Sequence, residues 1–107
     1  MIPKRFDEIN AADIQSLIAS DIREGLTLDY KQELPGETGD DKREFLADVS
    51  SFANTSGGDI VFGMREEEGV AAEILGIAGT DLDAAILRMD SIIATGIQPR
   101  VRHRIKL

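Results

Sequence analysis

Phe52-Ala53-Asn54-Thr55-Ser56-Gly57-Gly58-Asp59-Ile60-Val61-Phe62-Gly63 decides the fold, because it passes from a helical pattern into a strand across a pair of glycines. Upstream, Phe45, Leu46, Val49, Phe52 and Ala53 fall on one helical face, so a helix leads into the stretch and stops before Gly57-Gly58. Downstream, Ile60-Val61-Phe62 is short, apolar and partly β-branched, which predicts a strand buried on both faces.

Working outward, the loop Pro35-Gly36-Glu37-Thr38-Gly39-Asp40 precedes that helix and ends in acids suited to starting it. Before the loop, Leu26, Leu28 and Tyr30 alternate with Thr27, Asp29, Lys31 and Glu33, the pattern of a half-buried strand. Asn10 and Asp13 have capping-box spacing ahead of Ile14, Leu17 and Ile18, so a short helix is expected over about 11–20. On the other side, Arg65 to Gly69 reads as a polar turn and Val70 to Ile77 as a returning strand, a hairpin. Thr80 with Asp83 has the spacing of a second cap, and Leu82, Ile86, Met89 and Ile93 recur at helical spacing until Gly96. After Pro99, Arg100, Arg102, Arg104 and Lys106 alternate with Val101, His103, Ile105 and Leu107, a final strand. The sum is an α/β (α+β) domain with a small mixed sheet of about four or five strands and two or three helices.

The 107 residues suit one domain, with an apolar fraction of 42% and a charged fraction of 30%. No apolar run is long enough to span a bilayer, and Lys4 and Arg5 lead into acids rather than into a signal sequence. The absence of cysteine excludes disulfides and zinc-thiolate sites and fits a cytoplasmic location. The final strand reaches the last residue with no turn after it, so the chain reads as a domain cut from a longer protein. A net charge of −8 argues against bulk attraction to nucleic acid. Yet four of the twelve basic residues lie in the last eight positions, giving an acidic body with one basic edge.

That edge is the first candidate site. Alternate residues on a strand stand roughly 6.6 Å apart on one face, a spacing at which Arg100, Arg102, Arg104 and Lys106 can follow a phosphate backbone. Protection of an exposed sheet edge, or pairing with a second copy through 100–107, accounts for the same ladder. His103 falls on the apolar side, as a packed imidazole would. The second candidate is the acidic group Glu24, Asp29 and Glu33 with Lys31 among them. Two carboxylates can hold Mg²⁺ or Mn²⁺, and a lysine can stabilise charge in phosphoryl transfer. A solvated strand face carries such residues too. The third is Asn54, Thr55, Gly57 and Gly58, whose backbone can offer amides to a phosphate or serve as a helix stop and a tight turn into the sheet. Neither a Walker loop nor a dinucleotide fingerprint is present, and no pattern fits a Ser, Cys or His triad.

Taken in order, Glu24, Leu28-Asp29-Tyr30-Lys31, Phe52 to Gly58, Ile60-Val61-Phe62-Gly63 and Ile74-Leu75-Gly76-Ile77 resemble the Schlafen AlbA-like domain, formerly labelled a divergent AAA domain. Its members read Glu, Leu-Glu-Phe-Lys, Ala-Phe-Ala-Asn-Thr-x-Gly-Gly, a strand ending in Ile-Gly, and a returning strand that contains Gly. The likeness runs from about residue 12 to the end. It implies an α/β fold that handles nucleic acid. Bacterial members are described as DNA-binding transcriptional regulators or ATP-binding proteins, and animal Schlafens include RNA endonucleases that use two glutamates and an aspartate. Glu24 and Asp29 match the first two acids. Arg65 stands at the third, and the adjacent Glu66 would face the opposite way on a continuing strand.

The expectation is a nucleic-acid-binding domain of a bacterial transcriptional regulator, with DNA or RNA as partner, no membrane, and Lys31 assisting the basic run. The alternatives are a metal-dependent endonuclease built on Glu24, Asp29 and Glu66, with Mg²⁺ or Mn²⁺ on Glu24 and Asp29, and a non-enzymatic assembly module. Binding of ATP finds no Walker lysine to support it.

Overall fold

A computed structural model describes residues 2–55, 57–77, 81–96 and 105. Within them a 3₁₀ turn at Phe6–Glu8 is followed by α1 (Ala11–Ala19), β1 (Leu28–Lys31), α2 (Gly39–Ala53), β2 (Asp59–Phe62), β3 (Met64–Glu67), β4 (Val70–Ile74) and α3 (Leu82–Gly96). The order is that of a mixed α/β domain.

Both early helices start on reciprocal caps. Asn10 accepts from the amides of Ala12 and Asp13 while Asp13 accepts from the Asn10 amide, and Thr38 and Asp41 repeat the arrangement at α2. At α3 the capping side chain is Asp81, whose Oδ1 accepts from the Ala84 amide at 3.1 Å. The expected Thr80 lies outside the described residues.

β1 and β2 pair in parallel, Leu28 opposite Asp59 and Lys31 opposite Phe62, with α2 as the crossover between them. β1 is shorter than its alternation predicts. The Gly25 amide donates to the Leu28 carbonyl at 2.9 Å, which folds Leu26 and Thr27 into a tight turn and leaves Leu26 facing solvent, 83% exposed. β3 and β4 form an antiparallel hairpin whose turn is only Glu68-Gly69, with φ of 51° and 84°, as a two-residue hairpin turn requires. Arg65, Glu66 and Glu67, expected in that turn, belong instead to β3. Residues 22–24 lie along the far edge of β4: the Glu24 amide donates to the Gly69 carbonyl at 2.7 Å and the Ala71 amide to the Ile22 carbonyl at 3.2 Å.

Gly63 joins the two ladders. Its amide donates to the Lys31 carbonyl at 2.7 Å, and its carbonyl accepts from Leu75 and Gly76 at 2.7 and 3.0 Å. With φ at +84° the backbone leaves β2 and restarts as β3, so the strand through Phe62 does not continue unbroken to Glu66.

β2 divides the core. Ile2, Leu17, Leu28, Tyr30, Met64 and Ala71 form one buried cluster, against which Val61 packs. Phe45, Met89, Ile92 and Ile93 form the other, joined by Phe62 and Ile105, with the Phe45 and Phe62 rings tilted at a centroid distance of 6.3 Å. The apolar run 60–62 therefore serves two cores, as expected, although each of its side chains is half-buried rather than fully buried. No described helix is long and apolar enough to cross a membrane.

Candidate functional site

β1 buries Leu28 and Tyr30 and turns Asp29 and Lys31 to its half-buried face. The Tyr30 hydroxyl donates to the Ile22 carbonyl at 2.9 Å, which ties β1 to the segment carrying Glu24. Glu24 is thereby brought beside Asp29. Lys31 Nζ lies 3.3 Å from Asp29 Oδ2 and 3.3 Å from Asp48 Oδ2, so α2 contributes an acid of its own.

The electrostatics follow from this crowding. Burial, then a hydrogen bond with Asp29, then the charges of Asp29 and Glu66, raise the Glu24 carboxyl to about 7, with Lys31 opposing. Near neutral pH the Glu24 carboxyl thus still carries its proton in part of the molecules, as expected for a buried acid beside another carboxyl. Burial pulls the Lys31 ammonium down, but Asp29 and Asp48 overcome it and raise it above the ordinary lysine range. For the Tyr30 phenol, burial and the Glu24 charge both act upward.

Of the acids singled out from sequence, Asp29 and Glu66 both act on Glu24, whereas Glu33 lies past the end of β1 and is exposed. Glu66 is felt by Glu24 because β3 is a separate strand with a register shift between Arg65 and Glu66. Arg65 itself pairs with Glu67 at 2.7 Å and with Glu73 at 3.1 Å, away from the acid pair. Asp48 was not singled out. It borders the apolar stripe of α2, one position before Val49, but nothing local in the sequence marks an acid that meets Lys31 seventeen residues away.

The glycine loop behaves as a helix stop. The amides of Asn54, Thr55 and Gly57 donate to the Ser50 and Phe52 carbonyls, and the Thr55 hydroxyl also donates to Phe52. These amides are occupied rather than offered to a ligand. Gly58 permits close approach: a Cβ there would lie 2.8 Å from the Thr27 carbonyl oxygen. Arg100, Arg102, His103, Arg104 and Lys106 lie outside the described residues, while Ile105 packs on the second core cluster.

Among the described residues no group of three acids stands close enough to enclose a cation. Glu24 and Asp29, with Glu66 at longer range, are the acids that a Mg²⁺ or Mn²⁺ ion would meet at this face, with water and phosphate oxygens completing its shell.

Fold and site together define a small α/β domain that brings a hydrogen-bonded acid pair and a lysine to one face. The sequence pattern of the Schlafen, AlbA_2 family matches residues 24–107, and the chain belongs to that family. Comparisons with curated proteins and with solved structures give no match. The matched span opens on Glu24 and takes in β1, α2, the glycine loop, the hairpin and the basic run. Membership supports a role in handling nucleic acid.

Proposed function

We propose that this chain is the nucleic-acid-binding domain of a bacterial transcriptional regulator of the Schlafen AlbA-like family, acting in the cytoplasm. The observation that carries the reading is the family match, which extends without interruption from the acid pair through the basic run Arg100, Arg102, Arg104 and Lys106. On a body of net charge −8, phosphate contacts must come from local clusters of cations, and the last eight residues hold four basic side chains and no acid. Such contacts fix the position of a nucleic acid without reading its sequence. Lys31 adds a fifth cation at the acid pair.

A second reading, metal-dependent cleavage of RNA or DNA, is favoured by one observation: Glu24 is poised near neutral pH beside Asp29 and Lys31. Glu24 and Asp29 would hold Mg²⁺ or Mn²⁺, which supplies stabilisation of phosphoryl charge when bound. For its own part the chain supplies a carboxyl able to take or give a proton, and an ammonium fixed within reach of a phosphate.

One titration separates the readings. Labelled single- and double-stranded RNA and DNA are mixed with the protein across a salt series, with and without Mg²⁺ or Mn²⁺. Binding should weaken with salt, and replacing Arg100, Arg102 and Arg104 by Ala should lower both affinity and the salt slope, by about one per lost contact. Unchanged binding in that variant would sink the proposal. Metal-dependent cleavage abolished by both Glu24→Ala and Asp29→Ala would establish the second reading; cleavage that survives both comes from a contaminant.

A further inference from the structure

Lys31 is held from two elements at once. Asp29 reaches it from β1 and Asp48 from α2, each with its Oδ2 at 3.3 Å from Nζ. The two acids are not equivalent. Asp29 is also engaged with Glu24, whereas Asp48 meets the cluster only through Lys31 among the described ion pairs. Lys31 and Asp48 both border a groove of about 340 Å³, walled by Phe45, Ile60 and Phe62. The Lys31 side chain as a whole keeps a third of its surface open. An ammonium has three N–H donors and no acceptor, so two facing carboxylates occupy most of what it can give. A phosphate approaching Lys31 competes with them for the ammonium and meets the charge of Asp48 as it does so.

We infer that Asp48 is an electrostatic restraint on Lys31, holding the ammonium until a phosphate of the nucleic acid replaces the carboxylate, and so setting how tightly this face takes nucleic acid. The inference rests on the reading of the domain as a nucleic-acid binder. It explains why a cation beside an acid pair carries a second acid from a separate helix. With Asp29 alone the ammonium would keep more of its donors for an incoming anion; with both, a polyanion anchored elsewhere on the domain has the advantage over a small one.

Asp48→Asn keeps the shape of the side chain and removes its charge. The test measures affinity for labelled single- and double-stranded oligonucleotides in four proteins: the natural chain, Asp48→Asn, Lys31→Met and the double variant. Asp48→Asn should bind about two- to fivefold tighter at low salt, the range expected for releasing one partly exposed ion pair. The gain should shrink as salt rises and be largely lost in the Lys31→Met background. A gain of equal size in both backgrounds, or none in either, overturns the inference.

A second measurement needs no nucleic acid. In Asp48→Asn the Lys31 ammonium, followed by side-chain NMR, should titrate at lower pH than in the natural chain and acylate faster near pH 8. Binding intact with the Lys31 titration unmoved overturns the restraint alone. A Lys31 titration that moves while no variant binds any oligonucleotide overturns the nucleic-acid reading, and the phosphate-displacement role with it.

Discussion

Lys31 and Arg65 are each one cation between two carboxylates, one partner from the same strand and one from a neighbouring element, yet they do different things. Around Lys31 the partners are Asp29 and Asp48, 19% and 31% exposed, and Glu24 closes the group from a third segment. Around Arg65 the partners are Glu67 and Glu73, 71% and 56% exposed, on the solvent side of a hairpin. Water screens the second group, where such pairs contribute little. Screening is weaker in the first, and there burial and the neighbouring acids raise the Glu24 carboxyl to about 7. Each cation faces two carboxylates; enclosure by α2 and the 22–24 segment makes one of the two groups a candidate site.

The joint between the two regions is the place to break the comparison hardest. Gly63 lets the chain leave β2 beside Lys31 and restart as β3 with Arg65 outward. A methyl group there would lie 2.9 Å from Gly76 backbone and would sit at a φ of +84°. Left-handed strain and overpacking each cost about 1–3 kcal/mol. Gly63→Ala should therefore destabilise the domain by on the order of 3 kcal/mol in denaturant unfolding, and the loss should also disturb the Glu24 titration. A fall below about 1 kcal/mol would mean that the two regions are not coupled through this residue.

The next test acts on protonation. The Glu24 carboxyl rises from 4.5 to about 7 on folding, so between those values the folded chain holds a proton that the unfolded chain has lost. Stability must then fall as pH rises through that window, and the penalty is absent below it, where both states are protonated. Glu24→Gln removes the titration. Its stability relative to the natural chain should improve steadily from about pH 4.5 to 7, by about 1–2 kcal/mol once the partial exposure of the group is allowed for. Unfolding curves at several pH values check this. A difference independent of pH would show that Glu24 is not held against Asp29 as described.

Much of this architecture could be read along the chain, because it is written in local patterns. Asn10 with Asp13 announces α1, the stripe Phe45, Val49 and Phe52 announces α2, and Gly57-Gly58 marks its end, all of which the fold contains. The misreadings have one cause: pairing partners distant in sequence overrule local composition. Leu26 alternates correctly for a strand but is turned outward by the bond between Gly25 and Leu28. Arg65 to Glu67 look like a turn because they are polar, yet pairing with β4 satisfies their backbone and lets charged side chains face water. Within the site, Glu24, Asp29 and Lys31 were legible from their types and order. Asp48 was not, since only the packing of α2 across β1 brings it to Lys31, and Glu66 came within range only through the break at Gly63.

The smallest effect belongs to Arg65, and its smallness is what makes it informative. By its place in the family pattern this residue stands where an acid completes the site, so a reading from sequence alone would expect its replacement to alter the Glu24 cluster. The geometry says otherwise: its guanidinium is engaged by Glu67 and Glu73, and neither acid is among the groups that shift Glu24. Arg65→Ala should leave stability nearly unchanged, as expected for a solvent-screened pair. It should leave the pH profile of the Glu24 window where it was, measured by the same unfolding series. Arg65→Asp sharpens the point, because restoring the family's acid on the outward face should also leave that window in place. Movement of the window in either variant would mean that Arg65 faces the acid pair, and that the two ion groups are one.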